Sequence, residues 1–338
     1  MDPEPAKANY ARPILFLFVL SPAIGELLSG SSPPLEFFNP FTFLILASLY
    51  GSGALLVREY ARRWGKGWRS ILLLGAAYGI IEEGILVRSF FDPNWVDLGI
   101  LGTYGRWLGV NWVWAEWLTI YHAIFSITIP ILLVELYYPQ YRARPWLSPK
   151  QMRLFQAAFT GVTLFGLVGF PYYAPELAIW LPACMIAVAL LAWYAKRIPN
   201  TFPVQAGLNM SWRKLIPLGF SVPLAFFFLF YSTLIPIPAI TMLIGVLGVL
   251  GYGRILRRWA SQGFTDLQRL GLAGGALGFF MFFDSILEIN GIFGMSGVGV
   301  AFLIFIFKLR KRIILRTNVP PPTTLAILEL AKPESPLR

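Results

Sequence analysis

Charge is scarce in this sequence. Only 13% of its 338 residues are Asp, Glu, Lys or Arg, about half the share with which soluble domains cover their surface. A chain so poor in charge, 57% hydrophobic and with a mean hydropathy of +0.63, has the lipid bilayer as its solvent. Cysteine is nearly absent: Cys184, inside an apolar run, is the only one, which excludes an internal disulfide and a cysteine-ligated metal cluster. Histidine is as rare, and His122 alone excludes a His-rich metal site. No metal centre is therefore assigned, and no cofactor is indicated. No GxxxxGK[ST] or DDxxD-like cluster is present, so nothing supports an ATPase or a prenyl transferase. The N-terminal MDPEPAKANYARP lacks the basic region and the cleavage site of a signal peptide, so the first apolar run is expected to be retained.

What the chain does have is long apolar runs. Ten of them, near 13–30, 40–60, 69–90, 111–137, 152–171, 176–195, 214–235, 238–256, 268–287 and 290–309, have the length needed to cross the hydrocarbon core as helices. Backbone groups in lipid must be satisfied internally, and the runs lack the alternation of barrel strands. The expected fold is an all-α polytopic bundle of about ten transmembrane helices. One membrane domain spans 1–317, and a Pro-broken tail at 318–338 is expected to be disordered. If the N-terminus is cytoplasmic and sides alternate, 26 of the 28 Lys and Arg fall on the cytoplasmic side, and only Arg88 and Arg106 do not. That is the positive-inside bias of a cell-membrane protein with both termini cytoplasmic, and it accounts for the +11 charge without nucleic acid. Glycines at 75 and 79, and at 271, 274, 275 and 278, mark close helix contacts. LAFFFLFY at 224–231 reads as lipid-facing. The apolar, aromatic link 91–110 is expected to lie on the membrane or fold back as a lid. ARRWGKGWRS and LRRWASQGFTD, each before a Gly-rich run, form a faint internal echo.

A charged side chain deep in a bilayer costs about 3 kcal/mol on insertion scales, so each needs a reason. Glu82, Glu83 and His122 lie deepest. Glu26, Glu116 and Glu288 come within two turns of the outer boundary, Glu135 sits at the cytoplasmic end of its run, and Asp284 lies near the end of the ninth run. Adjacent carboxylates point about 100° apart on a helix, so Glu82 and Glu83 are expected to face different partners. Thr119, His122 and Ser126 share one helix face, and Pro130 removes the hydrogen bond that the Ser126 carbonyl would accept. The catalytic candidates are Glu82, Glu83 and His122. Glu26, Glu116, Thr119, Ser126 and Asp284 are candidates for binding substrate or an ion. The runs at 13–30, 69–90 and 111–137 are expected to pack together, with Glu26, Glu83 or Glu82, and His122 lining a cavity open to the outer face.

Paired glutamates, an arginine shortly after and a histidine on the next helix resemble the CAAX-protease and bacteriocin-processing family of intramembrane proteins. The resemblance covers 82–126. It implies peptide hydrolysis in which glutamate and histidine activate water. The family pattern EExxxR has one extra residue here, between Glu83 and Arg88, which turns Arg88 off the shared face; Leu118 replaces the family's Phe, and no second histidine exists. Three functions use these residues differently. A hydrolase needs Glu82 or Glu83 and His122 to converge, a proton- or cation-coupled transporter needs broken helices and access from both sides, and an assembly scaffold needs only paired polar groups.

Overall fold

The computed structural model describes residues 9–170, 174–199, 209–231 and 233–317. The expected disorder of the 318–338 tail concerns residues outside this set. The chain is an all-α bundle. Its helices are α1 (Ala11–Pro22, continued by the π-helical turn Ala23–Leu27), the short α2 (Pro34–Phe37), α3 (Pro40–Arg63) and α4 (Trp68–Gly79, continued by the π-helical Ile80–Leu86). They are followed by α5 (Trp112–Tyr137), α6 (Pro149–Gly169), α7 (Leu177–Arg197), α8 (Trp212–Tyr231), α9 (Pro238–Ser261), α10 (Asp266–Ile289) and α11 (Met295–Thr317). Each apolar run has its helix. Seven helices, α3 and α5 to α10, are long and apolar enough to cross a membrane. Of the others, α1 is short, and α4 and α11 carry more charged side chains.

Local signals explain the starts. Asn39 accepts hydrogen bonds from the Phe41 and Thr42 amides ahead of α3, and Asn111 from the Trp114 amide ahead of α5. Ser148 with Gln151, and Thr265 with Gln268, form reciprocal capping boxes at α6 and α10. Burial then ranks the helices: 72% of the α5 span is buried against 11% for α6, α7 and α9, so α5 is the central post and those three present most of their surface to lipid. α4 packs on α5 and α7, α1 on α3, and α10 on α8 and α11.

The glycines work as expected from small-residue packing. A Cβ at Gly75 would lie 2.9 Å from the Ala123 Cα, and one at Gly275 would run into the Ile216 carbonyl. The phenylalanine run departs from expectation. Phe230 is fully buried and packs on Trp117, and Phe227 stacks on Tyr231 and meets Phe279 and Phe283, so Phe228 is the phenylalanine of the run that stays exposed. Helix α8 has an inner face because α10 brings its small residues against it.

Basic segments meet at one end of the bundle. Lys66 donates to the Ile198 carbonyl, Arg63 to that of Leu147 and Arg316 to that of Leu136, while Arg142 pairs with Asp266. Glu135 is buried there, paired with Arg58 at 2.9 Å and Arg62 at 2.8 Å, so it is a structural counter-ion. At the other end the 91–110 link folds inward. Leu98 and Leu101 are buried, a two-residue hairpin pairs β1 (Arg106–Trp107) with β2 (Val110–Asn111), and Arg106 donates to the Phe91 carbonyl at 2.7 Å. Trp95 packs on Phe170, whereas Trp107 stands out. Arg88 does not snorkel outward. It is buried and donates to the Leu167 carbonyl at 2.7 Å.

Candidate functional site

Four π-helical turns occur among the described residues: Ala23–Leu27, Ala47–Gly51, Ile80–Leu86 and His122–Thr128. A π turn widens the helix by one residue, and such turns often accompany functional sites. Each of these places a polar side chain into one cluster: the half-buried Glu26 from α1, and the buried Tyr50 from α3, Glu82 and Glu83 from α4, and His122 with Ser126 from α5. Small residues let the helices close. A Cβ at Gly79 would sit 3.0 Å from the His122 Cβ, and one at Gly25 2.6 Å from the Tyr50 ring.

His122 is the hub. Its Nε2 lies 2.9 Å from Glu83 Oε1, and its Nδ1 lies 2.9 Å from Ser126 Oγ and 3.2 Å from Glu82 Oε2. Both glutamates therefore face one partner, contrary to the expectation from helical geometry. The wider π turn brings successive side chains closer in direction, and the imidazole offers a nitrogen at each edge, so the carboxylates approach from opposite sides. Ser89 donates to the other oxygen of Glu83 and itself accepts from Trp114 Nε1 at 3.0 Å. Glu26 accepts from the Tyr50 hydroxyl and, at 2.8 Å, from Ser32, and it interacts electrostatically with His122 and Glu83. The Tyr50, Tyr78 and Tyr121 rings surround the imidazole at centroid distances of 6.1, 5.9 and 5.2 Å. Ser21 donates to the Ser126 carbonyl at 2.6 Å, taking the acceptor that Pro130 leaves free.

Of the residues singled out in the sequence, Glu82, Glu83, His122, Ser126 and Glu26 come together. Thr119 borders the group, its Cα packed against Gly79. Glu116 and Asp284 do not join it. Glu116 faces Gly245 of α9, and Asp284 is buried in the α10–α11 seam beside Gly299. The group is also more closed than the expected cavity: Glu82, Glu83 and His122 are 5%, 8% and 3% exposed and touch one another directly. Tyr50, Tyr78, Tyr121, Ser21 and Ser89 escaped the sequence reading, because hydroxyl side chains are too common in membrane helices to stand out singly. Tyr50 did carry a signal: it sits inside its helix and not at an interface, where tyrosine concentrates.

One carboxylate oxygen each from Glu82 and Glu83 and one ring nitrogen of His122 lie within 4.8 Å of one another. Chemically the group can accept a proton at several oxygens, pass it through the imidazole, or hold a cation.

A family model described as an uncharacterized membrane protein family matches residues 15–323, and the chain belongs to that family. No curated protein and no solved structure matches it.

Proposed function

We propose that this multi-pass member of a membrane protein family is a membrane-embedded hydrolase, with Glu82 and Glu83 as the proton-accepting pair and His122 as their partner. The observation that carries the reading is the convergence of both carboxylates on the two nitrogens of one buried imidazole. It agrees with the resemblance of residues 82–126 to the CAAX-protease and bacteriocin-processing proteins, and it meets the contact requirement for general acid–base work.

The reaction is peptide hydrolysis within the bilayer. Water enters between Glu83 and His122, which part to admit it. A glutamate takes one proton as the water oxygen bonds to the carbonyl carbon, and His122 stabilises the oxyanion. The proton then passes to the leaving nitrogen as the C–N bond breaks, giving a carboxylic acid and an amine. Ser89 and Trp114 hold Glu83 in place, and Ser126 holds the ring. The protein would work in the cell membrane, crossing it ten times with both termini cytoplasmic and the 91–110 loop on the far side.

The test is the full chain in lipid nanodiscs, offered apolar and lipid-modified peptides with products read by mass spectrometry. Glu83→Gln keeps shape and removes the base, so cleavage should fall by about 100-fold or more while insertion is unchanged. Cleavage that survives in both Glu82→Gln and Glu83→Gln overturns the reading. A second reading, proton-coupled transport, draws on the four π turns that carry the cluster, since irregular helices are where transporters bind. It predicts no cleavage, with Glu83-dependent proton flux in sealed vesicles.

A further inference from the structure

Away from the glutamate–histidine cluster, the basic end of the bundle holds a second concentration of charge. Positive-inside sorting explains why arginines gather at one end of a membrane bundle, but not why four of them surround one acid. Arg142, in the loop after α5, grips Asp266 with two hydrogen bonds of 3.1 and 2.7 Å. Arg269 of α10 reaches the same carboxylate at 3.7 Å. Arg316 of α11 interacts electrostatically with Asp266, Arg142 and Arg312, and Arg312 lies 4.0 Å over the Tyr137 ring. One carboxylate therefore serves four guanidinium groups. It also lies in the first turn of α10, where it already answers that helix's N-terminal dipole. The nearby acids are spent elsewhere, Glu135 on Arg58 and Arg62 and Glu59 on Arg63.

Two donors of this group have no acceptor among the described residues. Arg142 Nε and Arg316 Nη1 are buried without a hydrogen-bond partner, although Arg316 Nη2 donates to the Leu136 carbonyl at 2.8 Å. A buried donor left unmade is costly, and more so when it carries charge. Tyrosines fix the depth of the group. Tyr137, Tyr138 and Tyr141 pack ring on ring beside the arginines, and tyrosine concentrates where the bilayer meets water. The arginines thus stand at the level of lipid phosphates, with the Arg142, Arg269 and Asp266 side chains still partly open.

We propose that Arg142, Arg269, Arg312 and Arg316 bind the phosphate of an anionic phospholipid. The planar guanidinium fork matches phosphate oxygens bidentately, and basic pockets between membrane helices are where anionic headgroups bind. The phosphate supplies the acceptors that Arg142 Nε and Arg316 Nη1 lack and offsets the excess charge around Asp266. A zwitterionic lipid brings its own cation and offsets none. The headgroup ties the loop after α5 to the start of α10 and the end of α11. The site shares no residue with the glutamate–histidine cluster, so it stands or falls independently of the hydrolase reading.

The experiment counts lipid on the full chain. Delipidated protein in detergent is titrated with phosphatidylglycerol, phosphatidylcholine and inorganic phosphate, and bound molecules are resolved by native mass spectrometry. Phosphatidylglycerol should bind at least about 10-fold more tightly than phosphatidylcholine, and millimolar inorganic phosphate should leave it in place. A basic residue beside an anionic lipid is worth about 5-fold in affinity, so Arg312→Gln and Arg316→Gln should each weaken the tightest phosphatidylglycerol site by about that factor. Asp266→Asn keeps all four arginines and removes the competing acid, so it should tighten the site by about 5-fold. The double variant Arg254→Gln and Arg258→Gln strips exposed charge from α9 and should leave the site unchanged. Equal affinity for the two lipids overturns the proposal, as does unchanged affinity in both the Arg312 and Arg316 variants. Displacement by inorganic phosphate makes the ligand a soluble anion, and an equal loss in the α9 variant makes the attraction a general one; either result overturns the lipid site.

Discussion

At the scale of single residues, the expense of polar groups in lipid separates this site from its surroundings. Glu82, Glu83 and His122 stood out in the sequence because nothing about a lipid-facing helix explains them. Their partners did not, since Ser21, Ser89 and Tyr121 cost little to place in any membrane helix. The contact that makes the cluster possible involves residues with almost no side chain. Gly75 faces the Ala123 backbone, which cannot rotate away as a side chain can. Gly75→Ala should therefore push α4 from α5 and cost about 1–3 kcal/mol, read as a lowered unfolding temperature in detergent with membrane insertion unchanged. A Gly75→Ala protein as stable as the parent would show that the α4–α5 seam has slack.

At the scale of elements, buried charge holds a loop to the bundle at the basic end. Arg58 is fully buried, stacks 3.3 Å over the Trp146 ring, and donates to Glu135 and to the carbonyls of Tyr141, Arg142 and Arg144. Its planar fork satisfies the loop after α5 from within α3, which an ammonium could not do. Arg58→Ala strands those acceptors, although Glu135 keeps Arg62. Removing one partner of a buried pair costs about 3–5 kcal/mol, and the remaining arginine places the expected loss at the lower end. Arg62, 12% exposed at its side chain, lets water replace it, so Arg62→Ala should cost less. Chemical unfolding of the two variants in one detergent checks the order. The helices themselves were legible from hydropathy. The π turns were not, because i→i+5 bonding leaves no mark in apolar periodicity, and it was the π turns that turned Glu82 and Glu83 to the same ring.

At the scale of the whole molecule, the bundle has a basic end and an aromatic end. Segments near 58–70, 135–147, 195–199 and 309–316 gather at the first, and the 91–110 link lies at the second, where Tyr104 donates to the Ile235 carbonyl and Trp180 to that of Leu108. If the chain crosses ten times, as proposed, tags on the two termini should both report the cytoplasm, and a tag placed near Asn94 should report the opposite side. Protease protection in intact cells and in inverted vesicles distinguishes these, and a terminus found on the side of Asn94 would break the ten-crossing topology.

The sequence by itself determined that this chain lives in lipid, that it does so as helices, roughly where its ten long helices run, and which few ionisable groups lack an excuse for being there. Those conclusions follow from transfer free energies, which depend on a residue's own chemistry and on its immediate neighbours in the chain. Only the tertiary structure decided that Glu26, Tyr50, Glu82, Glu83, His122 and Ser126 share one cluster while Glu116 and Asp284 stand apart. Which face of an apolar helix turns inward is nearly neutral in lipid, because tails and side chains are equally apolar. The choice therefore falls to glycine contacts, π turns and side-chain hydrogen bonds between residues far apart in sequence, 105 from Ser21 to Ser126 and 180 from Leu136 to Arg316.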